Sequence, residues 1–300
     1  MLKNPSRSRF LDIRRMRYHI REWGPDDGPV LFMLHGWMDV SASFQFVVEE
    51  LVRDWRVLAP DWRGYGRSAW TSADCYWFPD YLADLEFLAD ALLPEQQLHL
   101  VGHSMGGNVA LMYAGIRPAR VAGVVNLEGF GLRDTSASVA PERYARWIDE
   151  LKSGPTLRDY ASLAEVAQRL RRTNPRLSLE AAGFLAEHWS QPMPDGRFRI
   201  AGDPAHRIVN PVLYRLAEVE ACWARVACPV LWVEAAQTDA HHWAGGADEI
   251  ERRRRVIPRM QHAVVEDAGH MLHHDQPGRV AALIEEFFGA APRMARSVMQ

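Results

Sequence analysis

The sequence predicts an α/β fold: a mostly parallel central sheet flanked by helices, with a helical unit inserted late in the chain. Three observations predict it. Short apolar runs alternate with segments of helical periodicity, the rhythm of parallel strands joined by right-handed crossovers. One such run leads into Gly102-His103-Ser104-Met105-Gly106 and is followed at once by a helical pattern. Between residues 131 and 225 the rhythm stops, and helical patterns punctuated by proline take over.

Taken in order, Phe10 to Trp23 alternates enough for one or two edge strands, and Gly24-Pro25-Asp26-Asp27-Gly28-Pro29 is a turn cluster. Val30–Leu34 and Arg56–Ala59 are apolar runs of strand length. Leu82, Leu85, Ala89 and Leu92 recur at helical spacing after Pro79-Asp80, which puts a helix on one face of the sheet. Gln97–Val101 reads as a short buried strand, Gly107–Ala114 as the next helix and Val121–Leu127 as another buried strand. Within the insertion, Thr156 stands three residues before Asp159 as a helix cap, ahead of a stripe from Leu157 and Tyr160 to Leu170. A second helix is expected from Ser178 through Trp189. The sheet resumes at Pro229–Glu234 and ends with His262–Glu266. A final helix follows Pro277, with Val280, Leu283, Ile284 and Phe287 at core spacing, and a frayed tail is expected after Gly289.

Composition bounds the function. Three hundred residues with 48% hydrophobic content suffice for one α/β domain and a smaller accessory unit. A net charge of −3 supplies no broad basic field, so nucleic acid is not expected as a partner. The run Arg252–Arg255 follows Asp248, Glu249 and Glu251, the pattern of an ion-paired helix face. Three cysteines without a C-x-x-C pair argue against a disulfide framework. Met1–Arg7 lacks the apolar stretch of a signal peptide, and no run approaches eighteen apolar residues. These features lead to the expectation of a soluble, cytoplasmic enzyme without a membrane span, acting on a small molecule. They leave the oligomeric state open.

Three motifs carry a family resemblance. His35-Gly36-Trp37 follows one strand, Asp61-Trp62-Arg63-Gly64-Tyr65-Gly66-Arg67-Ser68 follows the next, and Gly102-His103-Ser104-Met105-Gly106-Gly107 follows a third. In that order and spacing the chain resembles the α/β-hydrolase superfamily, from about Tyr18 to about Phe288 and only loosely within the insertion. The resemblance implies a core formed by residues 1–130 and 226–300. It also implies a helical cap over 131–225 that roofs the nucleophile. Aromatic residues of that segment, including Tyr144, Trp147, Tyr160, Phe184, Trp189 and Tyr214, are candidates to line an apolar pocket.

A G-x-S-x-G run between strand and helix is a nucleophile elbow, in which a tight turn flanked by glycine exposes the serine at the top of the sheet. Ser104 is therefore the candidate nucleophile. A serine hydroxyl needs an adjacent base, and the expected chain order of nucleophile, acid and histidine points to His270. For the acid, usual placement favours Asp239, although Ala235 stands where the family has glycine and Asp239 lies four residues beyond it. Glu128, directly after the Val121–Leu127 strand, is the competitor. The backbone N–H groups of Met105 and Trp37 are the candidate oxyanion donors. His35, Gly36, Glu128, Trp147 and Tyr160 are candidates for the substrate side. Asp61, Arg63, Gly64 and Gly66 read as a structural turn beneath the site. His270, His273 and His274, with His241 and His242, imitate a metal cluster but lack an H-E-x-x-H or cysteine–histidine pattern. Neither a metal nor another cofactor is expected.

These residues suggest a serine hydrolase that cleaves a carboxylic ester, or a related acyl bond, through an acyl-enzyme. Thioesterase, carbon–carbon bond hydrolase and perhydrolase chemistry are alternatives on the same fold, as is a small-molecule receptor with little turnover. A serine at the elbow argues against epoxide hydrolases and haloalkane dehalogenases, which use aspartate there.

Overall fold

Eight strands form the central sheet in the computed structural model, which describes residues 2–289. They are β1 (Arg7–Ile13), β2 (Met16–Trp23), β3 (Val30–Leu34), β4 (Arg56–Pro60), β5 (Leu98–His103), β6 (Val121–Leu127), β10 (Val230–Ala235) and β11 (Met260–Val265). Their spatial order is β1-β2-β4-β3-β5-β6-β10-β11. The pairs β1/β2 and β2/β4 are antiparallel, and every later pair is parallel. The expected mostly parallel sheet is therefore present, with its antiparallel pairs at the end built from the first strands. The order reverses between β3 and β5, since the chain moves outward to β4 and then returns to the other side of β3. Ligands of open α/β sheets bind at such a switch point, beyond the carboxyl ends of the strands.

Side chains alternate across the strands and feed two apolar layers. Phe32 and Leu34 of β3 enter one layer with α2 (Phe78–Leu92), α3 (Met105–Ile116) and α7 (Leu216–Trp223). Leu31 and Met33 enter the other with α1 (Gln45–Glu50) and the last described helix, α8 (Pro277–Gly289). The stripe expected before Leu92 is the buried face of α2, where Leu85, Leu88 and Ala89 are inaccessible. The Asp61–Ser68 turn is structural, as expected. Asp61 accepts from the Ser41 and Arg67 backbone N–H groups at 2.7 and 2.9 Å and meets His19 Nδ1 at 2.7 Å. Arg63 clamps the buried Asp84 through two bonds of 2.5 and 2.6 Å. The tail anticipated after Gly289 lies outside the described residues.

Residues 131–225 hold α4 (Ala140–Ser153), β7 (Asp159–Tyr160), α5 (Leu163–Thr173), α6 (Leu179–Trp189), β8 (Ser190–Pro192), β9 (Phe198–Ile200) and α7. Val166, Leu170, Leu185 and Ile200 anchor a separate apolar cluster there. The helix at Ser178 starts as expected, with the Ser178 hydroxyl accepting from Ala181 N–H at 3.0 Å. The preceding helix does not start at Thr156. Ser162 is its cap, accepting from Glu165 N–H at 3.2 Å, and Asp159–Tyr160 is a strand. The reason is a cross-strand pair: Asp159 faces Arg199 of β9 and binds it at 2.5 and 2.9 Å. The order β7-β9-β8 makes a small second sheet. Strands of two and three residues are too short to show a period-2 pattern, which is why this segment read as helical only.

Candidate active site

Ser104 sits at the junction of β5 and α3 with φ 52° and ψ −114°, a backbone state rare for a residue with a side chain. Its neighbours explain how the turn closes. A Cβ on Gly102 would lie 2.4 Å from Gly106 O, and one on Gly106 would lie 2.1 Å from Leu34 O. Both approaches exclude any side chain, so the glycines hold the elbow against β3.

The Ser104 Oγ lies 3.1 Å from His270 Nε2. His270 follows β11, and its other ring nitrogen, Nδ1, lies 3.1 Å from Glu128 Oε2. Glu128 is 2% exposed and stands one residue past β6, with φ 58°. Its Oε1 accepts from Ala235 N–H at 2.7 Å, and Oε2 accepts from the Thr238 hydroxyl at 2.5 Å. Asp239 is exposed instead, with no side-chain hydrogen bond among the described residues. The preference for Asp239 is thus corrected in its placement: the carboxylate at His270 is Glu128. The physical reason lies in the sheet. β6 lies between β5 and β10, so the end of β6 emerges beside the serine, while Asp239 has passed one turn beyond β10.

Burial dominates the electrostatics of this trio. It pulls His270 below the ordinary histidine range, with Asp239 and Asp39 pulling the other way. It pushes Glu128 upward, against the bonds from Thr238 and Ala235. A neutral imidazole is the form that can take a proton from a serine hydroxyl. His270 is also held from behind: His103 Nε2–H donates to its carbonyl oxygen at 2.9 Å, and the Trp243 ring meets its own edge-on at 4.8 Å. Burial pulls His103 down to about 3, so it is a neutral support.

Above the serine opens a cavity of about 1140 Å³. Gly36, Trp37, Ser104, Met105, Tyr160 and His270 are among its lining. Met105 is the first residue of α3, and Trp37 lies in the turn after β3. Neither backbone N–H has an acceptor among the described residues. Five expected pocket residues lie elsewhere: Tyr144 is exposed, Phe184 packs against the Phe46 and His188 rings, Tyr214 is buried in the main core, and His35 and Trp147 are also set apart. His35 is fully buried below the cavity, where its Nε2 accepts from Trp62 N–H at 2.9 Å and its carbonyl from the Trp62 indole at 3.0 Å. Trp147 packs half-buried against the main core and does not line the cavity.

His241 and His242 are not gathered with His273. His241 lies 3.1 Å from Glu234, and His242 contacts the Asp239 carbonyl. Among the described residues, one trio has donor atoms all within 4.8 Å of one another: Asp39, His103 and His273. Of these, Asp39 already accepts through Oδ1 from Val40 N–H at 2.8 Å and the Trp189 indole at 2.6 Å. His103, Thr238 and Trp243 were not singled out as site residues from sequence. His103 was visible inside the elbow motif, and Thr238 beside the favoured acid. For Trp243 the sequence carries no signal.

The family described as alpha/beta hydrolase fold matches residues 29–277. A serine hydrolase-like protein of Danio rerio is 34% identical over 55% of this chain and 52% of its own length, so the match spans about half of that relative. A 3-hydroxybutyrate-oligomer hydrolase of Cupriavidus necator is 28% identical over 93% of this chain and 94% of its own. A haloalkane dehalogenase of Mycobacterium tuberculosis is 28% identical over 95% and 96%. Among solved structures, a thioesterase domain from the curacin biosynthetic pathway superposes with a TM-score of 0.85 at 25% identity. That match covers 94% of this chain and all of the other.

Proposed function

We propose that this chain, which belongs to the α/β-hydrolase fold family, is a serine hydrolase that cleaves carboxylic esters through Ser104, His270 and Glu128. The observation that carries the proposal is the continuous line from Ser104 Oγ to His270 Nε2 and from His270 Nδ1 to Glu128 Oε2, each gap 3.1 Å. His270 removes the Ser104 proton as Oγ attacks the ester carbonyl, and the N–H groups of Trp37 and Met105 meet the negative charge on its oxygen. Collapse of that intermediate breaks the C–O bond, with the proton on His270 passing to the departing alcohol. Water, deprotonated by His270, then releases the acid from Ser104. Glu128 fixes the tautomer that donates from Nδ1 and balances the charged imidazole.

A serine at the elbow favours acyl transfer over the dehalogenation named for the Mycobacterium relative, because an acyl-serine ester can be hydrolysed whereas the ether left on serine by an alkyl displacement cannot. The Cupriavidus relative is named for an oligomer hydrolase, in keeping with ester cleavage. The thioesterase likeness favours one second reading, a thioester as the acyl donor. In either case the part of residues 131–225 before α7 serves as a cap that selects the substrate and takes no part in the chemistry. Helix α7 packs in the main core, which corrects the expected bound at 225. Hydrolysis of 4-nitrophenyl esters of graded acyl length, beside an acyl thioester, tests the proposal. The wild-type protein turns over at least one oxygen ester, and Ser104→Ala abolishes that turnover. Turnover that survives the substitution would refute it.

A further inference from the structure

The cavity above Ser104 has a one-sided charge. Five arginines line it, Arg143, Arg158, Arg169, Arg172 and Arg207, against two carboxylates, Asp39 and Glu128. Both carboxylates are buried: Glu128 accepts from Ala235 and Thr238, and Asp39 accepts through Oδ1 from Val40 and Trp189 while its Oδ2 has no hydrogen-bond partner among the described residues. Of the arginines, only Arg158 has a carboxylate partner among the described residues, Glu165 at 2.7 Å. Among the described residues Arg143 and Arg207 donate only to the carbonyls of Asn210 and Thr156. The side chains of Arg169 and Arg172, on consecutive turns of α5, have no hydrogen-bond or ion-pair partner among the described residues. This cluster stands on a chain whose net charge is −3, so it is a local arrangement and no reflection of composition.

Unpaired guanidinium groups at the wall of a cleft focus a positive potential into it and raise the local concentration of anions. Guanidinium also matches carboxylate and phosphate oxygens in a two-pronged geometry. Phe78, Tyr81, Leu132, Leu157 and Leu185 supply apolar lining in the same cavity. We propose that the site takes an ester whose apolar stem ends in an anionic group, held by Arg169 and Arg172 while the carbonyl reaches Ser104. The inference rests on the serine-hydrolase reading. The anion has two chemical sources, a carboxylate on the acyl part or a phosphate on the leaving group.

Mono-4-nitrophenyl glutarate and 4-nitrophenyl butyrate test the first source, and 4-(phosphonooxy)phenyl butyrate beside phenyl butyrate tests the second. At low ionic strength one anionic member should exceed its neutral partner by about tenfold in kcat/KM, with the advantage shrinking once the Debye length falls to about 3 Å near 1 M salt. In R169Q/R172Q the ratio of anionic to neutral kcat/KM should fall toward unity, through KM. Equal kcat/KM within both pairs would overturn the proposal. So would a double variant that melts earlier with an unchanged ratio, since Arg172 would then only be offsetting the carboxyl end of α5. Binding to Ser104→Ala, titrated with the same compounds, separates the two readings. Tighter binding of the anionic member without turnover by the wild-type protein would keep the anion site and refute the hydrolase.

Discussion

Glu128 Oε2 lies 3.1 Å from His270 Nδ1, although the two residues are 142 positions apart in the chain. The contact exists because β6 and β11 both end on the serine side of the sheet. Glu128 accepts there from Ala235 and Thr238, and its remaining contact is with the imidazole.

Replacing Glu128 by glutamine should lower kcat by about 10³–10⁴, because the amide leaves His270 without the partner that orients it and balances its charge. Asp239→Asn should have a small effect on kcat. It should, however, move the acid limb of the pH profile downward, since Asp239 is a negative charge that raises the His270 pKa against burial. Steady-state kinetics from pH 4 to pH 8 checks both. A crippled Asp239→Asn enzyme beside a near-normal Glu128→Gln enzyme would reverse the assignment.

Gly106→Ala should destabilise the fold, because its Cβ would lie 2.1 Å from the Leu34 carbonyl oxygen of β3. Backbone cannot yield as a flexible side chain does, so the cost should reach or exceed the ~1–3 kcal/mol usual for overpacking. Urea unfolding measures it, and an unchanged midpoint would mean the elbow does not close as described.

Burial pulls His103 and His206 down to about 3, so both stay neutral in the fold yet protonate near pH 6.5 once the chain unfolds. Below pH 6.5 the unfolded chain therefore binds more protons, and stability is lost as the pH falls from 6.5 toward 3. Each such histidine contributes up to about 1.4 kcal/mol per pH unit over that window. Thermal melts should show a lower Tm at pH 5 than at pH 7, with a shallower slope in His206→Gln. Equal Tm values at the two pH values would contradict these buried neutral states.

Trp147 and Tyr160 should separate, although both were candidates for the pocket. Tyr160 lines the cavity, so Tyr160→Leu should change the ranking of esters by chain length. Trp147 packs on the core, so Trp147→Ala should lower stability by roughly 2 kcal/mol, below the ~3–5 of a fully buried aromatic, and leave the ranking intact. Chain-length profiles of both variants, with melting curves, check the pair.

Much of this was legible in the sequence because the motifs sit where local chemistry dictates them. The elbow needs glycine at 102 and 106, the serine needs a histidine after it, and the strands of the parallel sheet are continuous apolar runs. Which carboxylate meets His270 was not legible, since Asp239 and Glu128 both fall between Ser104 and His270 and satisfy the same chain order. Only the neighbourhood of β5 and β6 in space separates them. The short strands of residues 131–225 escaped for another reason: Asp159 and Arg199 define them as a pair, and neither segment declares a strand alone. The arginines lining the cavity are likewise scattered along the sequence from 143 to 207, and folding alone collects them.

The proposed role of Ser104, a nucleophile activated by His270, is checked by incubation with a fluorophosphonate probe and mapping of the labelled peptide by mass spectrometry. The modification is expected on Ser104, with labelling abolished in Ser104→Ala and greatly slowed in His270→Ala while both variants remain folded by circular dichroism. A folded wild-type protein labelled at another residue, or labelled equally fast without His270, would contradict it.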